Sequence, residues 1–286
     1  MTIKDAITKG TIELKINNIE MPKTKARMLM QFVMDKTRQY IIVNDKQEIE
    51  ENIEKTYFDG IEKLKKGIPI EHITHQKEFM KLNFFVDENV LIPRQDTETL
   101  VEEVILIVNK KFGNNKKIKI LDLCTGSGAI AVSLAKYIKN CEVTALDISY
   151  KALEIAKINA KKNEVEEKIT FIESNLFEKL PLEKYDIIVS NPPYIKKDII
   201  KKLDINVQKE PEIALNGGVD GLDFYRKIAQ NALEYLKYNS YICFEIGYDQ
   251  KEEVTEILKK EEKYTDIYSK KDLCDNDRII IAKVGG

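Results

Sequence analysis

Apolar residues recur with two different spacings along the chain, and the change falls near residue 82. Before it they stand about three to four positions apart, as Tyr57, Ile61 and Leu64 do, which is the spacing of one face of an amphipathic helix. Pro22 favours the first turn of a helix, and glycines that weaken or end helices divide this stretch into several segments. We therefore predict a small helical bundle for residues 1–82.

An extended segment follows the predicted bundle. Between Phe79 and Pro93 apolar residues alternate with polar ones on either side of Asp87-Glu88-Asn89, which is typical of two short strands joined by a turn. We predict a β-hairpin over residues 83–95 that links two domains. Asp96-Thr97-Glu98-Thr99 then predicts the capped start of a helix, which Gly113-Asn114-Asn115 ends.

Strand-like and helix-like segments alternate from residue 118 onward. The predicted strands cover residues 118–122, 141–146, 168–173, 185–190, 241–246 and 277–284, and the predicted helices cover residues 129–137, 151–162, 221–236 and 250–260. Such alternation is typical of a parallel sheet with helices on both faces, and the last two strands are placed to pair antiparallel at its edge. The predicted fold class is α/β, with a doubly wound, Rossmann-like sheet in residues 96–286 behind the helical domain.

Composition narrows the class of protein. The chain has 286 residues, of which 43% are hydrophobic, and no apolar run approaches the ~20 residues of a membrane span. The start of the chain lacks the apolar segment of a signal peptide. Four scattered cysteines without a CxxC pair indicate reduced thiols and argue against a zinc site. We expect a cytoplasmic protein with no membrane partner and no metal.

The formal net charge of the chain, −2, argues against a nucleic-acid partner. Proteins that live on nucleic acid usually carry a basic domain or stripe, whereas the lysines of this chain are mostly interleaved with glutamates. We therefore expect no stable nucleic-acid partner.

The motif Asn191-Pro192-Pro193-Tyr194 directly follows the predicted strand 185–190. Ligands of open α/β sheets bind at the carboxyl ends of strands. An asparagine amide offers an acceptor and two donors, a proline nitrogen leaves neighbouring carbonyls free to accept, and a tyrosine ring offers a flat face. We predict that the motif holds a planar group bearing N–H, an amide or an amino-purine, with its nitrogen aimed at an electrophile.

A glycine-rich turn between the first strand and its helix predicts a nucleoside-containing cofactor. Asp147 ends the second strand, 21 residues after Gly126, where a carboxylate can accept both ribose hydroxyls. The turn formally fits the dinucleotide fingerprint, so NAD stays open at this point. Asp122, placed for a water-bridged contact with a sulfonium and amino acid, favours S-adenosylmethionine. Asn175 and Leu176 end the third strand, either as contacts to adenine or as an ordinary turn.

These motifs together resemble the release-factor glutamine methyltransferases, which methylate the side-chain amide of the glutamine in the Gly-Gly-Gln motif of class I peptide-chain release factors. The matching stretches are Gly67-Ile68-Pro69, Glu78-Phe79, Val90-Leu91-Ile92-Pro93-Arg94 with Thr97-Glu98, residues 121–130, Asp147-Ile148-Ser149, Ala152-Leu153, residues 190–195, Glu210-Pro211, Ala214-Leu215, Gly218, Asp220-Gly221-Leu222, Glu245-Ile246-Gly247 with Gln250, and Asp277-Arg278. The chain departs from the usual pattern by Cys124 and Tyr238-Asn239-Ser240, where the family favours glycine, and none of its departures removes the Asn-Pro-Pro-Tyr motif.

The resemblance implies S-adenosylmethionine as methyl donor, S-adenosylhomocysteine as product, and a class I release factor as the protein partner, contacted by the N-terminal helical domain. We expect a monomer, although the sequence itself carries no signal for the oligomeric state. Matching residues imply a cofactor site of Asp122, Cys124, Thr125, Gly126, Ser127, Gly128, Asp147, Ile148, Asn175, Leu176 and Asn191. They imply catalysis by Asn191 and Pro192, and substrate binding by Asn191, Pro192, Pro193 and Tyr194. The glutamine amide is then expected to donate to the Asn191 oxygen and the Pro192 carbonyl while it stacks on Tyr194.

Three other interpretations remain open from the sequence. An amino-nucleobase methyltransferase acting on adenine N6 or guanine N2 shares this chemistry but needs a basic channel and base flipping. A binding module that kept the fold would need no catalytic motif, and a nicotinamide enzyme would transfer hydride. His72 and His75 are interpreted as structural, Arg94 as either a cover for the cofactor or a packing residue, and the loop with Glu210-Pro211 and Gly217-Gly218 as a wall of the substrate groove.

Overall fold

The chain folds into two units, which a computed structural model describes over residues 1–113 and 116–285. One unit contains Met1–Gln76 and Asp204–Lys209, and the other contains Lys77–Leu203 and Glu210–Gly286. The predicted helix end at Gly113-Asn114-Asn115 lies in part outside the described residues. Over those residues, the structure contains no helix of the length and apolarity that a membrane span requires.

The first unit is the predicted helical bundle. Its helices are α1 (Ile3–Ile16), α2 (Pro22–Met34), α3 (Arg38–Val43), α4 (Glu51–Lys65) and α5 (Ile70–Thr74). Thr2 and Asp5 close the first turn of α1 with a capping box, in which the side chain of each residue accepts from the backbone N–H of the other. Pro22 begins α2, as the sequence predicts.

Two glycines let the helices of the bundle approach closely. A Cβ at Gly10 in α1 would lie 2.4 Å from the hydroxyl oxygen of Tyr57, and a Cβ at Gly60 in α4 would lie 2.7 Å from Leu29. Gly60 therefore lies inside a helix instead of ending it, because the packing of the bundle requires a residue without a side chain there.

A β-hairpin is present, but the predicted position, 83–95, is wrong, and the hairpin lies within the second unit, which begins at Lys77. Strands β1 (Lys77–Phe79) and β2 (Leu82–Phe84) pair antiparallel around Met80 and Lys81, which both have positive φ. Such a turn usually contains Asn-Gly, so the sequence carries no signal for it. Tertiary hydrogen bonds stabilise it instead, because the Met80 N–H donates to Glu98 at 2.6 Å and its carbonyl accepts from Tyr137.

Residues 85–95 form no strand, because side chains bind the backbone groups that a hairpin would pair. The Asn159 amide accepts from the Phe85 N–H at 2.6 Å and donates to the Phe85 carbonyl at 2.9 Å. Farther along, the Glu210 carboxylate accepts from the Ile92 N–H at 2.9 Å and pairs with Arg94. The alternation that predicts a hairpin here reflects burial of alternate residues, with Val86, Val90 and Ile92 all buried.

The second unit contains the predicted sheet. Its strands are β3 (Ile118–Leu123), β4 (Cys141–Asp147), β5 (Ile169–Glu173), β6 (Tyr185–Ser190), β7 (Leu236–Glu245), β8 (Tyr264–Lys271) and β9 (Asp277–Val284). They lie in the order β5-β4-β3-β6-β7-β9-β8. The first five are parallel, and β9 runs antiparallel to both β7 and β8. The doubly wound α/β fold is thereby confirmed, including its antiparallel edge.

Helices cover both faces of this sheet. The helices are α6 (Asp96–Ile107), continued by one π-helical turn (Val108–Phe112), α7 (Ala129–Tyr137), α8 (Tyr150–Lys162), the short α9 (Lys197–Ile200), α10 (Asp223–Ala232) and α11 (Lys251–Lys260). Residues of α6 and α7 share one apolar core with one face of the sheet, and residues of α10 and α11 share a second core with the other face.

The largest boundary differences lie at the predicted helix 221–236 and the predicted strand 241–246, and one strand was not predicted. The predicted helix 221–236 ends early at Ala232, because β7 already begins at Leu236 to pair with Tyr185 of β6. Strand β8 has no counterpart among the predicted strands. Its residues are mostly polar and half-exposed, since an edge strand buries little of either face, so they lack the apolar run on which the prediction depends.

We expect Gly10→Ala to destabilise the helical unit by roughly 1–3 kcal/mol, the usual cost of overpacking, which exceeds the helix propensity that alanine adds. The Tyr57 hydroxyl is buried and finds no hydrogen-bond partner among the described residues, so Tyr57→Phe should be neutral or stabilising. Urea unfolding of both single variants and the double variant would measure the coupling. If Gly10→Ala costs as much in the Tyr57→Phe background as in the parent, the hydroxyl is not the source of the clash.

Candidate active site

Four parallel strands end at the same edge of the sheet, where the strand order reverses between β3 and β6. In a doubly wound sheet this reversal opens a crevice outside the carboxyl ends of the strands. The structure has a cavity there, formed by the residues that follow β3, β4, β5 and β6. It is lined by Asn89, Val90, Leu91, Cys124, Gly126, Leu146, Asp147, Ile148, Ser149, Ala152, Ser174, Asn175, Leu176, Asn191, Pro193, Pro211, Ile213, Ala214 and Phe224.

The glycine-rich turn after β3 forms the floor of this cavity. Cys124, Gly126 and Gly128 all have positive φ, and the Thr125 N–H donates to the Leu146 carbonyl at 2.9 Å. A Cβ at Gly126 would meet no atom within 4 Å, so the turn leaves an open cradle on the cavity side. A ligand can therefore approach the backbone closely at this position.

Asp147 stands beside that cradle at the end of β4. One oxygen of its carboxylate accepts from the Gly126 N–H at 2.8 Å, and the other accepts from the Ser149 N–H at 2.9 Å. Burial raises the pKa of the Asp147 carboxyl. The next residue, Ile148, presents an exposed apolar side chain to the same cavity. A carboxylate fixed in this way can still accept ligand hydroxyls through its remaining lone pairs.

Asp122 lies behind the cavity wall instead of in it. Its side chain is fully buried and accepts from the Thr125 hydroxyl at 2.6 Å, and burial raises the pKa of its carboxyl to about 7. Ser127 is also buried, and neither it, Thr125 nor Gly128 lines the cavity. These predicted cofactor residues hold the turn in place. The water-bridged ligand contact expected of Asp122 remains a prediction.

Asn175 and Leu176 line the cavity at the end of β5. The Asn175 amide nitrogen donates to Glu178 at 2.6 Å, so its carbonyl oxygen is left to accept from a ligand. Leu176 has a φ of 51°, which turns the chain sharply at this point. The pair thus offers one acceptor and one apolar surface side by side.

The Asn-Pro-Pro-Tyr motif turns the chain away from the sheet after β6. Asn191 and Pro193 line the cavity, whereas Pro192 and Tyr194 do not, and both prolines are buried. The Asn191 amide nitrogen donates to the Thr97 hydroxyl of α6 at 3.3 Å. Because one end of this amide is held by Thr97, the other end, its carbonyl oxygen, can serve a ligand that donates N–H.

Tyr194 is held in place by two glycines of the loop that follows the motif and by two polar side chains after β6. Its carbonyl accepts from the Gln250 side chain at 3.0 Å, and a Cβ at Gly221 would lie 2.4 Å from the same carbonyl oxygen. A Cβ at Gly217 would lie 2.7 Å from the Tyr194 Cα. The Tyr194 hydroxyl donates to Glu245 at 3.4 Å. Substitution of either glycine would therefore displace the tyrosine.

The remaining cavity wall comes from residues 89–91 and 211–214. Within the second unit, the ion pair of Arg94 with Glu210 fastens these two segments to each other. The structure thus gives Arg94 a defined ion-pair partner. His72 lies in α5 of the first unit, and His75 directly follows that helix.

The sequence interpretation assigned no site role to three residues that organise the site, Thr97, Asn159 and Glu245, although Thr97 and Glu245 lie in stretches that match the family. Asn159 also donates to the Ser127 carbonyl at 2.9 Å, so one buried amide connects residue 85 to the glycine turn. Glu245 is almost fully buried at the end of β7. Asn159 lies outside every matching stretch, and its burial and hydrogen bonds become visible only in the structure.

Comparisons with known proteins place the chain in a family. Residues 5–74 match a domain described as the PrmC N-terminal domain, and residues 104–209 match the methyltransferase small domain. A crystal structure of a methyltransferase from Pyrococcus furiosus covers 73% of this chain and 92% of its own at 19% identity, with a TM-score of 0.53, and shares the fold.

Two relatives match over nearly their whole length. A release factor glutamine methyltransferase of Clostridium acetobutylicum is 46% identical over 290 residues, which cover 100% of both chains. The protein of the same name from Clostridium botulinum is 38% identical over 286 residues, which cover 99% of both. The chain therefore belongs to the release factor glutamine methyltransferase family.

Proposed function

We propose that this protein transfers a methyl group from S-adenosylmethionine to the side-chain amide nitrogen, N5, of the glutamine in the Gly-Gly-Gln motif of class I release factors. Its relatives' names specify a release factor and a glutamine. The observation that carries the proposal for this chain is the Asn191 amide, held at its nitrogen by Thr97 and placed at the cavity wall. Its free carbonyl oxygen suits a substrate that donates an amide N–H.

The cavity residues fit S-adenosylmethionine. The Gly126 cradle leaves room for a ligand against the backbone, and Asp147 beside it would accept the ribose hydroxyls. The Asn175 oxygen would accept from the adenine amino group, and Ile148 and Leu176, which line the same cavity, would pack on the ring. When bound, this cofactor supplies a methyl group on a sulfonium, which is an electrophile already activated for transfer.

The protein promotes the reaction mainly by orienting the glutamine amide nitrogen toward the methyl group. An amide nitrogen is a weak nucleophile because its lone pair is delocalised into the carbonyl. The Asn191 oxygen and the Pro192 carbonyl accept the two N–H bonds of the glutamine amide, which orients its nitrogen and favours the positive charge that develops on it. The flat face of Tyr194 supports the amide. After methyl transfer the extra proton leaves to water.

The helical unit recognises the release factor in this proposal. Its support is the match of residues 5–74 to the N-terminal domain characteristic of the family. We assign recognition of the substrate protein to the helical unit, predicted over 1–82, and the chemistry to the unit that contains the predicted catalytic domain, 96–286. We infer a cytoplasmic monomer for this task.

Methyl transfer from labelled S-adenosylmethionine to a purified class I release factor tests the function. We expect label on the intact factor and none on a version with Gln→Ala in its Gly-Gly-Gln motif. Total RNA and DNA in parallel reactions test the amino-nucleobase alternative. Label on nucleic acid, or on the Gln→Ala factor, would contradict the proposal.

Replacing Asn191 by alanine should lower kcat roughly 10²–10³-fold, the loss typical of removing one oriented hydrogen-bonding group from a transition state. Cofactor binding should weaken but persist, because Asp147 and the glycine turn are untouched. Steady-state kinetics with calorimetric binding of S-adenosylmethionine separates the two effects. Asn231→Ala, the same change on the exposed surface of α10, is the matched control. Full activity of Asn191→Ala would refute this role.

Replacing Asp147 by asparagine should weaken cofactor binding and leave kcat nearly unchanged, the reverse of the Asn191→Ala result. An asparagine must place its NH₂ group toward the N–H of either Gly126 or Ser149, so the turn loses one hydrogen bond and the ribose loses an acceptor. We expect the Kd for S-adenosylmethionine to rise roughly 10–100-fold, with kcat at saturating cofactor little changed. Asp198→Asn on the exposed side of α9 serves as control. An unchanged Kd would remove Asp147 from the cofactor site.

A further inference from the structure

We propose that Glu210 and Arg94 form a latch that closes the cofactor cavity and sets how long S-adenosylmethionine stays bound. The inference rests on the proposed function only in taking this cavity as the site of the cofactor. Neither side chain lines the cavity. Both are positioning residues, which act through the segment that directly follows Glu210, residues 211–214. We call this segment the strap.

The strap is a thin part of the cavity wall. Pro211, Ile213 and Ala214 all line the cavity, yet 53% of the Ile213 surface is exposed. The strap therefore faces the cavity on one side and solvent on the other. Its residues Glu212–Ala214 form a short 3-10 helix, in which the Ala214 N–H donates to the Pro211 carbonyl at 2.9 Å, so the strap can move as a unit. Such a movement opens the cavity to solvent.

The two ends of the strap are held in different ways. After the strap, the Ile195 N–H donates to the Leu215 carbonyl at 2.9 Å, and the Gly217 N–H donates to the Ile195 carbonyl at 2.9 Å. These backbone bonds join this end to the chain that follows the Asn-Pro-Pro-Tyr motif. Before the strap stands Glu210, which is held through its side chain. Release of Glu210 would free one end of the strap while the other end stays bonded, as in a hinged flap.

Glu210 joins the strap to residues 89–94, another part of the cavity wall. One oxygen of its carboxylate accepts from the Ile92 N–H at 2.9 Å, and the other pairs with the Arg94 guanidinium. Only 1% of the Glu210 side chain is exposed. Removing a carboxylate from water to this degree is costly unless the charge is paired. Arg94 therefore keeps Glu210 inside, and with it the near end of the strap.

The other side of the latch is anchored in the fold. Val86 and Val90 are buried in one apolar cluster with Ala152 and Ile155 of α8, and Ile92 is buried as well. By contrast, every residue of the strap is half-buried or exposed. The strap has less apolar contact to lose, so it is the part that moves when the ion pair breaks.

The exposure of Arg94 makes the ion pair sensitive to the solution. Its side chain is 38% exposed, so water and dissolved ions reach the cationic half of the pair. Salt screens charges that solvent reaches, whereas an apolar contact is not weakened by screening. Opening of the strap, and with it escape of the cofactor, should therefore depend on ionic strength.

The release rate of the cofactor tests the latch without any methyl transfer. A chase of bound, labelled S-adenosylmethionine with excess unlabelled cofactor measures this rate. Glu210→Gln keeps the shape of the side chain and an acceptor for the Ile92 N–H but removes the charge, and Arg94→Met removes the cation. We expect each variant to release the cofactor roughly 10-fold faster than the parent, the effect of losing one charge-assisted contact. The number of cofactor molecules bound per chain should not change.

The double variant shows whether the two residues act together. If they form one latch, the double variant should release the cofactor at most about twofold faster than the faster single variant, because the second substitution removes nothing further. Glu103→Gln is the matched control. Glu103 has the same 5% exposure as Glu210 and pairs with Lys270 of edge strand β8, and neither Glu103 nor Lys270 lines the cavity. This control should release the cofactor at the parental rate.

A salt series provides a readout that a merely structural role would not change. In the parent the release rate should rise about two- to fivefold between roughly 0.01 M and 1 M ionic strength, as the screening length falls from ~30 to ~3 Å. Both single variants should lose this rise, while any effect of salt on the cofactor itself is common to all variants. The measurement on the parent also tests the latch where a variant fails to fold.

The outcomes separate the latch from the function it rests on. The latch is wrong if the single variants release the cofactor at the parental rate, if their effects multiply in the double variant, or if the parental rate does not rise with salt. Methyl transfer to the release factor would then still support the proposed function. A parent that binds the cofactor but transfers no methyl group refutes the function, and the release rates still decide the latch. A parent that binds no S-adenosylmethionine refutes both. Faster release in both single variants, no further gain in the double variant and loss of the salt effect together support the latch.

Discussion

The site depends on one constraint, the parallel pairing of β3 with both of its neighbours. Leu123 pairs with Leu146 of β4 on one side and with Ser190 of β6 on the other. This register brings the glycine turn, Asp147 and Asn191 to one edge of the sheet. Because a one-residue slip would turn every side chain of a strand to the other face, the buried apolar residues of β3 also secure the position of the polar residues that follow it.

Side-chain hydrogen bonds take over where the regular structure ends. Residues 85–95 form part of the cavity wall without a strand or helix of their own. Asn159 and Glu210 satisfy their backbone groups, as a buried segment requires. The same amide of Asn159 reaches the Ser127 carbonyl, so the wall and the glycine turn share one anchor. Shape at this site is therefore maintained by a few buried polar residues.

Two other buried residues of the site, both carboxyls, lower the stability of the fold near neutral pH. Asp122 and Glu245 are both buried with the pKa of each carboxyl raised to about 7, above the value it has when exposed. The folded state then binds more protons than the unfolded state between the two pKa values. The stability these carboxyls contribute is present at low pH and is lost as the pH rises toward 7. Carboxyls with such a cost concentrate at functional sites, and both of these lie within the site's framework.

The sequence by itself determined the class of fold, most strand and helix positions and the residues of the cavity floor, because apolar periodicity and short motifs are local properties of the chain. Strand 185–190, helix 129–137 and the Asn-Pro-Pro-Tyr motif are examples. Only the tertiary structure decided the place of the hairpin, whose Met80-Lys81 turn depends on Glu98 and Tyr137 from other elements. It also decided that Asp122 lies behind the cavity, that Thr97 contacts Asn191 and that Glu245 contacts Tyr194. These residues are distant in sequence, and no local pattern predicts that the ends of β6 and β7 lie next to the start of α6.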